Sequence, residues 1–157
     1  MATLTRTDST DNHFAELVKK LDEDLAIRDG DDHLFYAQFN KTYMIRHAIV
    51  AYENGEPAGC GAIKPFDESG AEVKRMYTRP EFRKKGIATT VLAELERWAF
   101  ELGFKRCVLE TGRNQPEAIA MYLQNGYSII PNYGQYAGIE NSVCFEKYLT
   151  ENATREF

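Results

Sequence analysis

Between Ile45 and Thr78 the chain carries three apolar runs separated by only two short turn segments, and this spacing constrains the fold more than any other feature. The first run, Ile45 to Tyr52 (IRHAIVAY), is β-branched and apolar. Glu53-Asn54-Gly55-Glu56 follows, with the Asn-Gly pair that favours a tight hairpin. Ala58 to Lys64 returns, Pro65 to Gly70 turns again, and Ala71 to Thr78 (AEVKRMYT) reads as a third strand. Strands joined this closely form an antiparallel meander, because a parallel return needs a long crossover.

The period then changes. A helix is predicted from Gly86 to about Leu102, with Ile87, Val91, Leu95, Trp98 and Leu102 on one stripe and Gly103 as its stop. It supplies a crossover to a short apolar strand, Lys105 to Glu110. Pro116 suits the first turn of a helix over Glu117 to Asn125, ended by Gly126. Tyr127 to Ile130 and Ser142 to Tyr148 are the last strands, joined by a turn-rich loop. At the other end, Thr10-Asp11 offers an N-cap to a helix carrying Phe14, Leu17, Val18, Leu21 and Leu25, which ends near Asp29-Gly30. A shorter helix starting at Asp31 or Asp32 would carry Leu34, Phe35 and Phe39. With a strand or coil in front, the expectation is a mixed α/β (α+β) fold: a mostly antiparallel sheet of six to seven strands flanked by about four helices.

Composition narrows the function. At 157 residues, 43% hydrophobic and 27% charged, the chain is expected to form one domain over residues 1–157. No apolar run reaches the ~20 residues of a membrane span, and Met1 to Thr10 does not read as a signal peptide. Cys60, Cys107 and Cys144 lack the spacing of a disulfide framework or a zinc site and read as buried or half-buried thiols in a reducing cytoplasm. His13, His33 and His47 share no ligand spacing, so no metal is expected. The net charge of −5 lies within residues 1–32, where nine acids face four bases. Lys74 to Lys85 instead concentrates six bases against one acid. A local basic cluster on an acidic chain suits a small polyanionic ligand rather than nucleic acid.

The sharpest motif is Arg83-Lys84-Lys85-Gly86-Ile87-Ala88, which follows a strand and opens the long helix. The first N–H groups of a helix have no internal partner, and the dipole places positive potential there. A glycine lets those donors converge on an anion such as pyrophosphate, and the flanking cations add charge. Other glycine motifs fit worse. Gly59-Cys60-Gly61 is followed by no helix, and there is no G-K-[ST].

With this R-x-x-G-x-A loop and the later block Ala118 to Tyr127 (AIAMYLQNGY), the chain resembles the GCN5-related N-acetyltransferase (GNAT) family from about Ile45 to Leu149. The resemblance is strongest in Glu72–Ala88 and Gln115–Tyr127. It implies that the loop from Arg83 through Lys84, Lys85, Gly86, Ile87, Ala88 and Thr89 holds the pyrophosphate of acetyl-CoA. Met76, Tyr77 and Thr78 would lend backbone groups to the pantetheine arm and thioester. Many members carry an asparagine seven residues before the helix tyrosine; here Gln115 stands there with Asn114 beside it, and either side chain could reach the cofactor. Acetyl-CoA would be a co-substrate, with no metal.

Acetyl transfer to an amine needs a group that removes a proton from the ammonium, a donor to the oxyanion, and stabilisation of the departing thiolate. Tyr122 matches the family position often given the acid role, with packing on the pantetheine as the alternative. Glu72 and Glu110 match two positions that serve as base in different branches, and either could instead pair with a neighbouring cation. Period-two alternation sets Glu72, Lys74 and Met76 on one face. The acceptor site would be walled by Leu21–Asn40 and Asn132–Asn141. The acids Asp22, Glu23, Asp24, Asp29, Asp31 and Asp32 could attract a cationic amine, although a solvated helix face is the plainer reading. Tyr133 and Tyr136 could close over a small or aromatic acceptor or simply anchor their loop. The expectation is a cytoplasmic enzyme moving acetyl directly to the primary amine of a small molecule, alone or as a homodimer. The alternatives are a protein or peptide N-terminal acetyltransferase and a non-catalytic acyl-CoA sensor. No nucleic-acid or membrane partner is expected.

Overall fold

A computed structural model of the chain describes residues 2–30 and 45–150. Seven strands form one sheet: β1 (Thr3–Thr7), β2 (His47–Glu53), β3 (Glu56–Pro65), β4 (Gly70–Thr78), β5 (Arg106–Gly112), β6 (Ser128–Ile130) and β7 (Ser142–Tyr148). Their order is β1-β2-β3-β4-β5-β7-β6. Every neighbouring pair is antiparallel except β4–β5. Three α-helices lie among the described residues: α1 (Asn12–Asp29), α2 (Ile87–Glu101) and α3 (Pro116–Gln124). The helix expected from Asp31 or Asp32 through Leu34, Phe35 and Phe39 lies outside the described residues, as does His33.

The local chemistry follows the sequence closely. Asn54 and Gly55 both take positive φ, 53° and 81°, giving the two-residue turn whose twist matches the flanking strands. Asp11 caps α1, its carboxylate accepting from the backbone N–H groups of His13 at 2.8 Å and Phe14 at 3.0 Å. The predicted stripe of α2 holds except at its end. Leu102 follows the helix and is 45% exposed, while Leu92 and Ala99 join Ile87, Val91 and Leu95 in the core.

Both faces of the sheet are covered, which is why the strands read as nearly continuous apolar runs. Ile49, Ala51, Ile63 and Val73 pack under α2, while Ala48, Val50, Cys60 and Ala62 pack under Phe14, Leu17 and Val18 of α1.

Two irregularities of β4 create the site. It pairs with β5 only at Gly70–Arg106, Ala71–Cys107 and Glu72–Val108, so the two strands part beyond that point. It also bulges. Lys74 pairs with Ala62 but Tyr77 with Cys60, and Arg75 takes a left-handed φ of 61°. The expected alternation is thereby corrected. Lys74 shares a face with Ala62 beneath α1, whereas Met76 packs with Val73 in the core beneath α2. Gly61 sits across from the bulge, and a Cβ there would lie 2.5 Å from the Met76 sulfur.

Candidate active site

The parted strands open a cleft of about 640 Å³, walled by β4, β5, the start of α2, the face of α3 and part of α1. One end is cationic. Lys84 and Gly86 both have positive φ, 65° and 78°, folding the chain tightly into α2. Gly86 occupies the N-cap without a side-chain acceptor. The backbone N–H of Thr90 is bonded to the Gly86 carbonyl at 3.0 Å, whereas those of Ile87, Ala88 and Thr89 precede the first intrahelical bond. A Cβ on Gly86 would meet nothing within 4 Å, so the position needs glycine for its conformation rather than for space. Arg83 is hitched to the end of β4, its Nε donating to the Thr78 carbonyl at 2.9 Å.

The other residues singled out for cofactor binding divide. Met76, Tyr77, Thr78, Arg83, Lys84, Gly86, Ile87, Ala88, Thr89 and Gln115 all line the cleft. Lys85 and Asn114 do not. The Lys85 ammonium lies 5.6 Å from the centre of the Phe82 ring, and Asn114 donates to the Arg28 carbonyl at 3.3 Å.

Glu72, Glu110 and Tyr122 all line the cleft; the Glu110 charge acts on the Tyr122 phenol, and both carboxylates act on Lys74 and Tyr136. Tyr122 is buried between Tyr127 and Phe145, ring centres 5.8 and 5.6 Å away. Burial, reinforced by the Glu110 charge, raises its phenol above the usual tyrosine range. Glu72 is 3% exposed and accepts a hydrogen bond from the Tyr133 hydroxyl at 2.8 Å, with the Lys64 ammonium 3.7 Å away. Lys74 lies nearby. Burial lowers its ammonium against the opposing pull of Glu72 and Glu110.

The acceptor-side residues named from the sequence, Tyr133, Tyr136, Asp22 and Asp24, make contacts that only three dimensions reveal. Tyr136, 2% exposed, lines the cleft, and burial followed by the charges of Glu110 and Glu72 raises its phenol. The hold of Tyr133 on Glu72 spans sixty-one positions in sequence. From α1, Asp24 and Arg28 reach the cleft as a pair 3.2 Å apart. Asp22 pairs with the buried Arg75. Period and motif carry no signal for such long-range partners.

Among the described residues no group of three His, Cys, Asp or Glu could hold a metal ion. His13 meets the Tyr52 hydroxyl at 2.9 Å, and His47 packs edge-on against Trp98. No described helix is long and apolar enough to cross a membrane.

The model of the acetyltransferase (GNAT) family matches residues 12–127. The chain belongs to this family. It is an acetyl-CoA-dependent N-acetyltransferase. An IAA acetyltransferase of Azospirillum brasilense is 32% identical over 94% of this chain and 97% of its own. A chain from Klebsiella pneumoniae, described as a candidate acyl-CoA N-acyltransferase, superposes with a TM-score of 0.79 at 32% identity, covering 96% and 99% of the two chains. A GNAT acetyltransferase of Elizabethkingia anophelis, solved with acetyl-CoA bound, shares the fold at 18% identity and a TM-score of 0.66, over 94% and 98% of the chains.

The cleft fits acetyl-CoA by its own chemistry. Unpaired helix N–H groups and the Arg83–Lys84 cations suit a pyrophosphate, the parted edge of β4 offers backbone to an extended arm, and Tyr122 stands at the inner end.

Proposed function

We propose that the chain transfers acetyl from acetyl-CoA directly to the primary amine of a small molecule, in a ternary complex. The observation that carries this reading is that two carboxylates, Glu72 and Glu110, and the Tyr122 phenol line the cleft that opens where β4 and β5 part. Acetyl-CoA supplies the activated acyl group as a thioester.

In this reading the turn Arg83–Thr89 binds the pyrophosphate, the edge Met76–Thr78 and Gln115 bind the arm, and a backbone N–H of that edge stabilises the carbonyl oxygen. Glu72 and Glu110 hold the acceptor's ammonium and take its proton, directly or through water. Glu72 is kept in position by Tyr133. Tyr122 hydrogen-bonds the sulfur as negative charge develops there. With its pKa raised by burial, the phenol stays protonated and acts as a neutral hydrogen-bond donor more than as a full proton donor.

A small acceptor is favoured over a peptide because the loop before β7 is tied across the inner end of the cleft. Tyr133 binds Glu72, Arg113 binds the Glu140 carbonyl, and the Arg113 backbone binds Asn141 at 2.9 Å. The Azospirillum relative's name also points to a small molecule. We read residues 1–157 as one catalytic unit working in the cytoplasm. Its three cysteines are free and buried, which suits a reducing compartment.

Calorimetric titration with acetyl-CoA, followed by an amine panel read by release of free CoA thiol, tests the proposal. One-to-one binding with turnover on small amines supports it. Turnover only on peptide N-termini would favour the peptide reading. Binding without turnover on any amine would refute catalysis on amines and favour a sensor.

A further inference from the structure

Arg75 carries more hydrogen-bond donors than its place in the fold uses. It stands at the bulge of β4 with φ 61°, and its side chain is 1% exposed. Its Nη2 donates to the Asp22 carboxylate at 2.5 Å, but Nε and Nη1 are buried with no acceptor among the described residues. A guanidinium is always charged, and buried N–H groups left without acceptors are rare because each forfeits its hydration. Asp22 is half-exposed and satisfies one nitrogen of three.

Arg75 is one of the residues that line the cleft, with its guanidinium in the layer directly behind the cleft surface. Its pairing with Asp22 sets it on the α1 face, with Lys74 and Glu72, and away from Met76 and the helix α2 beneath it. That face therefore carries carboxylates able to hold an ammonium and a buried cation with unused donors able to hold an anion. Two acids of α1 on this side are already paired. Asp22 is committed to Arg75, and Asp24 is paired with Arg28.

We propose that Arg75 is a specificity-determining residue whose guanidinium receives a carboxylate on the acceptor, so that the amine acetylated belongs to an amino acid. This rests on the amine-acetylating function above. A carboxylate is the anion of choice because its oxygens match the spacing of guanidinium donors.

The test uses the unaltered protein with acetyl-CoA and a panel in which each amino acid is matched with its carboxamide, its decarboxylated amine and an aminosulfonate. The acids should exceed their carboxamides by roughly 30-fold or more in kcat/KM, since the uncharged partner leaves the buried donors poorly satisfied. Arg75→Lys keeps the charge but loses the fork. It should raise the KM for the acid about tenfold while leaving the KM for acetyl-CoA unchanged. The matched comparison needs no variant, so it stands even if Arg75→Lys does not fold. Equal use of acids and carboxamides, a preference for the sulfonate, or a folded Arg75→Lys with unchanged acceptor KM would each overturn the assignment. Turnover without preference leaves the proposed function standing and removes only Arg75's role. Acetyl-CoA binding with turnover on no amine overturns both.

Discussion

Gly86 allows folding strain and anion binding to be separated within one position. Its φ of 78° is costly for a residue with a Cβ, yet a Cβ there would touch nothing within 4 Å. Gly86→Ala should therefore lose only the conformational term, about 1–2 kcal/mol, or roughly 2–8 °C in Tm for a chain of this length. Gly86→Glu carries the same strain but adds a carboxylate at a helix N-terminus, where the dipole returns about 0.3–1 kcal/mol. In stability the glutamate variant should thus equal or exceed the alanine variant. For acetyl-CoA the order reverses. A negative charge a few ångströms from a pyrophosphate costs about 2 kcal/mol in a partly screened site, weakening binding roughly 30-fold relative to Gly86→Ala. Thermal melts and calorimetric titration of the two variants measure both terms. If Gly86→Glu binds acetyl-CoA as tightly as Gly86→Ala, the turn at the start of α2 does not hold the pyrophosphate.

Three further outcomes follow from the inner cleft and the core. Tyr122→Phe should lower kcat about 10- to 100-fold with little change in the KM for acetyl-CoA, because the donor is needed once charge builds on the sulfur; full turnover would leave the ring a packing role only. Glu72→Gln and Glu110→Gln, measured separately across pH, should each reduce kcat/KM, and the variant that loses the pH dependence of the parent identifies the proton acceptor. A parental profile in both would reject both carboxylates. Stability should fall above pH 9. Unfolded thiols ionise near 9, whereas burial holds Cys60 and Cys107 protonated to about 12, so the unfolded state releases protons first and is stabilised relative to the folded state as pH rises through that window. Urea midpoints at pH 8, 9.5 and 10.5 should decline in that order, and a flat series would refute the burial argument.

What was legible in the sequence was local. The Asn54–Gly55 turn, the Asp11 cap and the glycine at the start of α2 each act on residues within a turn of themselves, and each is found where its chemistry points. β1 was less clear because TLTRT is short, polar and at the sheet edge, and its partner β2 lies some forty residues away. The bulge at Arg75 left no mark at all. Arginine is no left-handed residue by preference, so the extra residue that turns Met76 toward α2 is enforced by tertiary partners: Asp22 on the guanidinium and Cys60, whose thiol donates to the Arg75 carbonyl at 3.3 Å. The same holds for the grip of Tyr133 on Glu72. Gly59 and Gly61, read only as glycines within a strand, answer that bulge. Added side chains would crowd the Tyr77 carbonyl and the Met76 sulfur. One inserted residue in β4 thus accounts for the divided faces. It leaves Lys74 and Arg75 toward α1 and Met76 toward the core beneath α2, whose first turn lines the same cleft.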